Sequence, residues 1–194
     1  MKKIINIFLY ISILVFANVT PAFATDHTGD AVYKDGTLGG LTWHAAINDQ
    51  SITGVEVIQA PGLFNVVQYA PWSSFVGSNT YQGPPQYKYG MTANDSQNVI
   101  NVARLLANKN NIIYTGIDMM HGFSTGTYIY PDNVKALRCD GVVEYCFEWY
   151  NFPIMSPGAG MWDISNKNYI WRHSSAVTAN LNPVSQWSVM NPHY

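Results

Sequence analysis

The chain has 194 residues, of which 47% are apolar and 14% aromatic but only 11% charged, less than half the roughly 25% of an ordinary soluble domain. That balance supplies a packed core and excludes intrinsic disorder. The formal net charge of −2 excludes the basic footprint by which proteins grip nucleic acid or anionic lipid.

The first residues read as an export signal. Lys2 and Lys3 form a positive start, Ile4 to Phe16 is almost wholly apolar, and Ala22-Phe23-Ala24 supplies a small-x-small cleavage pattern. The apolar run is too short for the roughly 20 residues that span a bilayer, and no later segment is long enough, so no membrane span is expected. Cleavage after Ala24 leaves residues 25–194 as one domain, secreted or periplasmic. It removes Lys2 and Lys3 and no acid, which takes the formal charge from −2 to −4.

Short strands are expected at Ala31 to Tyr33, Thr42 to Ile47 and Val55 to Ala60, with turn residues Asn48 to Ser51 and Gly54 between the last two. Together they make a β-meander. Pro61 to Met91, rich in glycine, proline and aromatics, reads mostly as loop and lid, with one strand at Val66 to Tyr69. Thr92 to Asn108 is an amphipathic helix with Val99, Ile100, Val102, Ala103, Leu105 and Leu106 on one side and Thr92 or Asn94 as its cap. Ile112 to Tyr114, a glycine-rich stretch and a helix beginning at Cys139 follow. The tail past Pro153 is irregular, with a further strand at Tyr169 to Trp171.

Two cysteines in an exported chain suggest a disulfide, but their spacing opposes one. Val142, Val143, Cys146, Phe147 and Tyr150 recur at helical period, and seven residues along a helix separate Cys139 from Cys146 by about 10 Å at 1.5 Å per residue. A bridge requires less than about 7 Å between Cα atoms. Cys146 falls on the apolar face and reads as core. Cys139 stands at the helix start, where the macrodipole lowers a thiol's pKa. Arg138 assists and Asp140 opposes, so the dipole is expected to carry the effect. Cys139 also fits a buried core thiol.

A nucleophilic thiol needs a base, and His27, His44, His121, His173 and His193 compete. His44 opens an apolar strand, and in a hairpin with Val55 to Ala60 the side chain of Gln59 comes alongside it. A Gln carbonyl accepting from one ring nitrogen leaves the other for the thiol. Cys139, His44 and Gln59 then form nucleophile, base and orienter. His173 is the rival base. Core readings also fit, His44 as a satisfied histidine and Gln59 as a solvated strand residue. Asp118 and His121 make only half a metal site, and no metal is expected.

The segments Gly29-Asp30-Ala-Val-Tyr33, Trp43-His44-Ala-Ala-Ile47, Val57-Ile-Gln59-Ala60 and Arg138-Cys139-Asp-Gly-Val-Val-Glu-Tyr-Cys-Phe147 resemble the NlpC-type papain-like cysteine hydrolases. The order is circularly permuted, His before Cys, as in the YiiX-like and lecithin:retinol acyltransferase-like branches. The resemblance spans about Gly29 to Tyr150. It implies an α+β papain-like fold, with a small antiparallel sheet packed against the Cys helix. Cys139 matches the nucleophile, His44 the base and Gln59 the orienter, and Tyr114 matches a tyrosine lining the site; Trp43 and Asp140 are the further substrate-binding candidates. The family's Asp-Cys-Ser-Gly is here Arg138-Cys139-Asp140-Gly141, which places a carboxylate after the thiol. The implied activity is acyl transfer through a thioester, without a cofactor. Its substrates would be peptide or cell-wall amides first and lipid acyl groups second. The opposing class is a secreted binding module without turnover, whose exposed aromatics stack on sugars or peptides.

Overall fold

The computed structural model describes residues 27–36, 42–52, 54–154, 166 and 182–193. The export signal, His173 and the strand expected at Tyr169 to Trp171 lie outside them. The described architecture is mixed α and β. Strands β1 (Ala31–Gly36), β2 (Thr42–Ile52), β3 (Val55–Gln59) and β4 (Gln68–Ala70) form an antiparallel meander. β5 (Gln86–Tyr87) and β9 (Asn191–Pro192) extend it on the β1 side, giving the order β4-β3-β2-β1-β5-β9. A second, three-stranded sheet has the order β6 (Ile113–Tyr114), β8 (Val134–Leu137), β7 (Met120–Gly122). The helices are α1 (Trp72–Val76), α2 (Ala93–Asn108), α3 (Cys139–Glu148) and α4 (Pro183–Ser188).

The alternation along β2 explains the layers. Ala45 and Ile47, with Tyr33 and Ile58, belong to the larger core, which α2 and α3 complete with Val99, Ile100, Leu106, Val142, Val143 and Phe147. Ala46, with Val32 and Val57, faces the other way onto a smaller cluster closed by Phe75 of α1. Burying one such side chain contributes about 1.5–3 kcal/mol, so two-sided burial pins the register, because a one-residue slip would exchange the faces. Arg104 of α2 grips the buried Asp49 carboxylate of β2 with both arms, Nε at 2.9 Å and one Nη at 2.7 Å.

α2 starts where its capping box requires. The Asp95 N–H donates to Thr92 Oγ1 at 3.3 Å, and the Thr92 N–H donates to Asp95 Oδ2 at 2.8 Å. α3 has no side-chain cap; it is fixed from outside. The Arg138 N–H donates to the Met119 carbonyl at 2.9 Å. A Cβ at Gly141 would stand 2.0 Å from that same oxygen, so only glycine lets α3 approach β7 so closely.

Two expectations need correction. β2 does not turn at Asn48 but runs to Ile52, absorbing the polar residues through a register irregularity between Asn48 and Ile52. Pro61 to Met91 is more ordered than a loop and lid, because it holds β4, α1 and β5. Trp72 and Phe75 give α1 an apolar side to lay on the small cluster.

Candidate active site

β3 ends at Gln59, whereas β2 begins at Thr42, and the register pairs Ile47 with Ile58. The first residues of β2 therefore continue past the end of β3. In the space this leaves lies a cleft of about 730 Å³. Trp43 and His44 of β2, Leu63 and Asn65 after β3, Tyr114 of β6, Arg138 and Cys139 at the head of α3, and Pro183 and Val184 of α4 line it.

His44 shares the face of Ala46 and rests on Phe75, with ring centroids 5.8 Å apart. Its Nε2 lies 2.7 Å from Gln59 Oε1. A side-chain carbonyl can only accept, so Nε2 carries the hydrogen and donates, which leaves Nδ1 as the basic nitrogen. Cys139 reaches the strand differently. The backbone N–H groups of Ala45 and Asp140 are directed at its sulfur, which sets the thiol against the open edge of β2, one residue from His44. Thiol and imidazole share the cleft wall; among the described contacts the imidazole bonds Gln59 and the sulfur bonds the two amides. No hydrogen bond joins the two among the described residues.

Both groups are neutral at rest. Burial holds the imidazole of His44 down at about 4; the Gln59 bond raises it and the Lys34 charge lowers it further. Burial pushes the thiol of Cys139 up to about 12, and the Asp140 carboxylate adds to the rise, while the Ala45 amide, the Arg138 guanidinium and the Asp140 amide oppose it. The expectation that the helix start would lower this pKa is thus reversed, because a thiol only 5% exposed loses more from desolvation than the dipole returns.

Asp140 is fully buried and does not line the cleft. It accepts from Arg138 Nε at 2.6 Å and Nη2 at 2.8 Å, so its carboxylate anchors the guanidinium that forms part of the wall. Arg138 also donates to the Ile117 carbonyl at 3.2 Å. Trp43 sits in the wall, edge-on to Trp187 of α4 at 5.6 Å. Tyr114 is half-buried there, its hydroxyl pushed up to about 12 first by burial and then by Cys139 and Asp140. Cys146 is a free thiol sealed in the core, as Cys139 is a free thiol at the cleft. Asp118 and His121 lie 3.2 Å apart near the surface.

One neighbour escaped the sequence reading. Lys34 pairs with His44 across β1 and β2, is 8% exposed, and donates from Nζ to the Phe75 carbonyl while lying over that ring, 5.2 Å from its centroid. Burial lowers its pKa, and a negative charge on Cys139 would raise it. The only signal was its place after Ala31-Val32-Tyr33, at an alternating position that points it to the small cluster.

A buried network backs the site. Tyr33 Oη donates to Gln186 Oε1 at 3.2 Å. The Gln186 amide in turn donates to the Asp140 carbonyl at 3.1 Å and to Glu144 Oε2 at 2.9 Å, which joins α4 to the first turns of α3.

Comparison with protein-family models, with curated proteins and with solved structures finds no match to this chain.

Proposed function

We propose that this chain is an exported cysteine hydrolase with a circularly permuted papain-like arrangement, in which Cys139 is the nucleophile, His44 the general base and Gln59 the orienter. The observation that supports the reading is the 2.7 Å bond from His44 Nε2 to Gln59 Oε1, which leaves Nδ1 as the basic nitrogen of a histidine lining the same cleft as Cys139. With thiol and imidazole both neutral, attack is general-base assisted rather than performed by a preformed ion pair.

His44 Nδ1 takes the Sγ proton as the sulfur bonds to the carbonyl carbon, and the carbonyl π pair moves onto oxygen. The Cys139 N–H, at the head of α3 and without a partner within the helix, is the amide that receives the developing oxyanion. Collapse expels the amine or alcohol, which receives the proton from the His44 imidazolium. Water then adds to the thioester with His44 again as base, releasing the acid and the thiol. Lys34 and Arg138 favour negative charge on sulfur during the first step.

The substrate class is an amide of a peptide or cell-wall fragment, with a lipid acyl ester second. Leu63 and Val184 in the lining, 66% and 43% exposed, suit an acyl chain. A second reading, a binding module without turnover, is favoured by the burial of Cys139. A fluorescent thiol-directed acyl-amide probe separates the two. Labelling at Cys139 that falls by about 10²–10⁴-fold in His44→Ala supports the hydrolase; labelling indifferent to that change, or none at all in the wild type, rejects it.

A further inference from the structure

A second cluster of reactive side chains lies apart from the cleft. His27 and Asp30 are the end residues of a turn closed by the Asp30 N–H donating to the His27 carbonyl at 3.0 Å. Its Gly29 has φ 92°, and a Cβ there would lie 2.1 Å from the Ser96 carbonyl oxygen of α2. The turn is therefore seated hard against a helix and its two functional side chains have a fixed relation. His193 arrives from the far end of the sequence, directly after β9, held by its N–H donating to the Pro85 carbonyl at 2.8 Å.

The two rings converge on one carboxylate oxygen. Asp30 Oδ2 lies 2.8 Å from His193 Nδ1 and 3.2 Å from His27 Nδ1, and the rings meet edge to face with centroids 4.9 Å apart. One ligand atom from each residue lies within 4.8 Å of the others. Asp30 is 1% exposed, and its second oxygen, Oδ1, is buried with no hydrogen-bond partner. A buried carboxylate with one oxygen unpaired is costly, and a cation held through Oδ2, where the rings converge, offsets that cost by neutralising the charge. Beside His193 a cavity of about 360 Å³, lined also by Thr28, Thr92, Ser96 and Gln97, gives access from solvent.

We propose that His27, Asp30 and His193 bind one divalent transition-metal ion of the zinc class, with the remaining coordination position turned to this cavity. Two imidazole nitrogens and one carboxylate suit zinc and its neighbours rather than magnesium or calcium, which take oxygen donors. Zinc bonds of about 2.1 Å in a tetrahedral array put ligand atoms roughly 3.4 Å apart, against 2.8 and 3.2 Å from Asp30 Oδ2 to the two rings and no more than 4.8 Å between any two of the three atoms, so ring rotations admit the ion. Each ring coordinates as neutral imidazole through Nδ1, its hydrogen moving to Nε2. The ion would tie the turn before β1 to the segment after β9, and it touches no residue of the Cys139 cleft.

The test is calorimetric titration of the full chain with Zn²⁺, repeated with Co²⁺ to read ligand-field bands. The expected result is one ion per chain, with affinity lower by about 10²-fold or more in His193→Ala and in His27→Gln, unchanged in Cys139→Ala, and a thermal midpoint that rises until one equivalent is added. His193 has a side chain 41% exposed, so its replacement leaves the fold intact, as circular dichroism checks. Absence of saturable one-to-one binding overturns the proposal. So does equal affinity in the wild type and both histidine variants, or binding lost in Cys139→Ala and kept in His193→Ala.

Discussion

Helix α3 carries two cysteines, one at each end of the same buried face, and they make an instructive pair. Burial raises both thiols. Around Cys146 burial is the sole cause, and the sulfur is enclosed with Val142, Val143 and Phe147 in the large core. Around Cys139 two amide N–H groups and the Arg138 guanidinium also bear on the sulfur, and the cleft opens beside it. The same residue on the same helix thus becomes either packing or a candidate nucleophile according to whether polar groups and an opening accompany it. Depth alone does not separate the two.

The largest effect expected from this contrast is on labelling. Cys139→Ala should abolish reaction with an acyl-amide probe, while Cys146→Ala should leave it intact and instead lower stability by about 1–2 kcal/mol, as the loss of a small buried group does. Mass-spectrometric mapping of the probe together with urea unfolding reads both halves. Probe found on Cys146 in the wild type would break the contrast.

Next in size is the orienter. Gln59→Ala frees the ring of His44 to rotate, and a misplacement near 1 Å costs about 10²-fold in rate. The loss should appear in kcat with little change in KM. A change in KM alone would make Gln59 part of the substrate wall instead.

A further effect is on stability against pH. His44 is held at about 4 in the fold against about 6.5 when unfolded, so between these values the unfolded chain binds more protons and stability falls as pH is lowered. The difference corresponds to roughly 3 kcal/mol lost between pH 6.5 and 4. Denaturant titrations of wild type and His44→Gln across this window should diverge by that amount; parallel curves would show that His44 is not held neutral by burial.

Much of this arrangement was legible in the residues. The meander followed from alternation in β1, β2 and β3, and Thr92, one of the two caps expected, marked the start of α2. Bringing His44 to Gln59 needed only a hairpin register and the rule that side chains alternate. What escaped has physical reasons. β5 and β9 are two residues each, too short for any period, and β8 is held by β6 and β7 rather than by its own pattern. The sign of the Cys139 shift was misjudged because local sequence displays a helix start and neighbouring charges, whereas desolvation is produced by β2, α4 and β6, which are distant in the chain. Lys34 lies just past the strand expected at Ala31 to Tyr33, and its cover, α1, comes from a segment with no strong periodicity.

The hydrogen bonds of Gln186 give the cleft an unusual mechanical property. α4, which carries Val184, is joined to the Asp140 carbonyl at the head of α3 through the side-chain amide of Gln186, which Tyr33 also holds. Any occupant that pushes the α4 wall outward must strain the base of the helix on which the sulfur rides, so wall and floor shift as one piece. Fit at the rim is therefore felt at the reacting atom, and a poorly shaped guest would pull the sulfur off its line of approach.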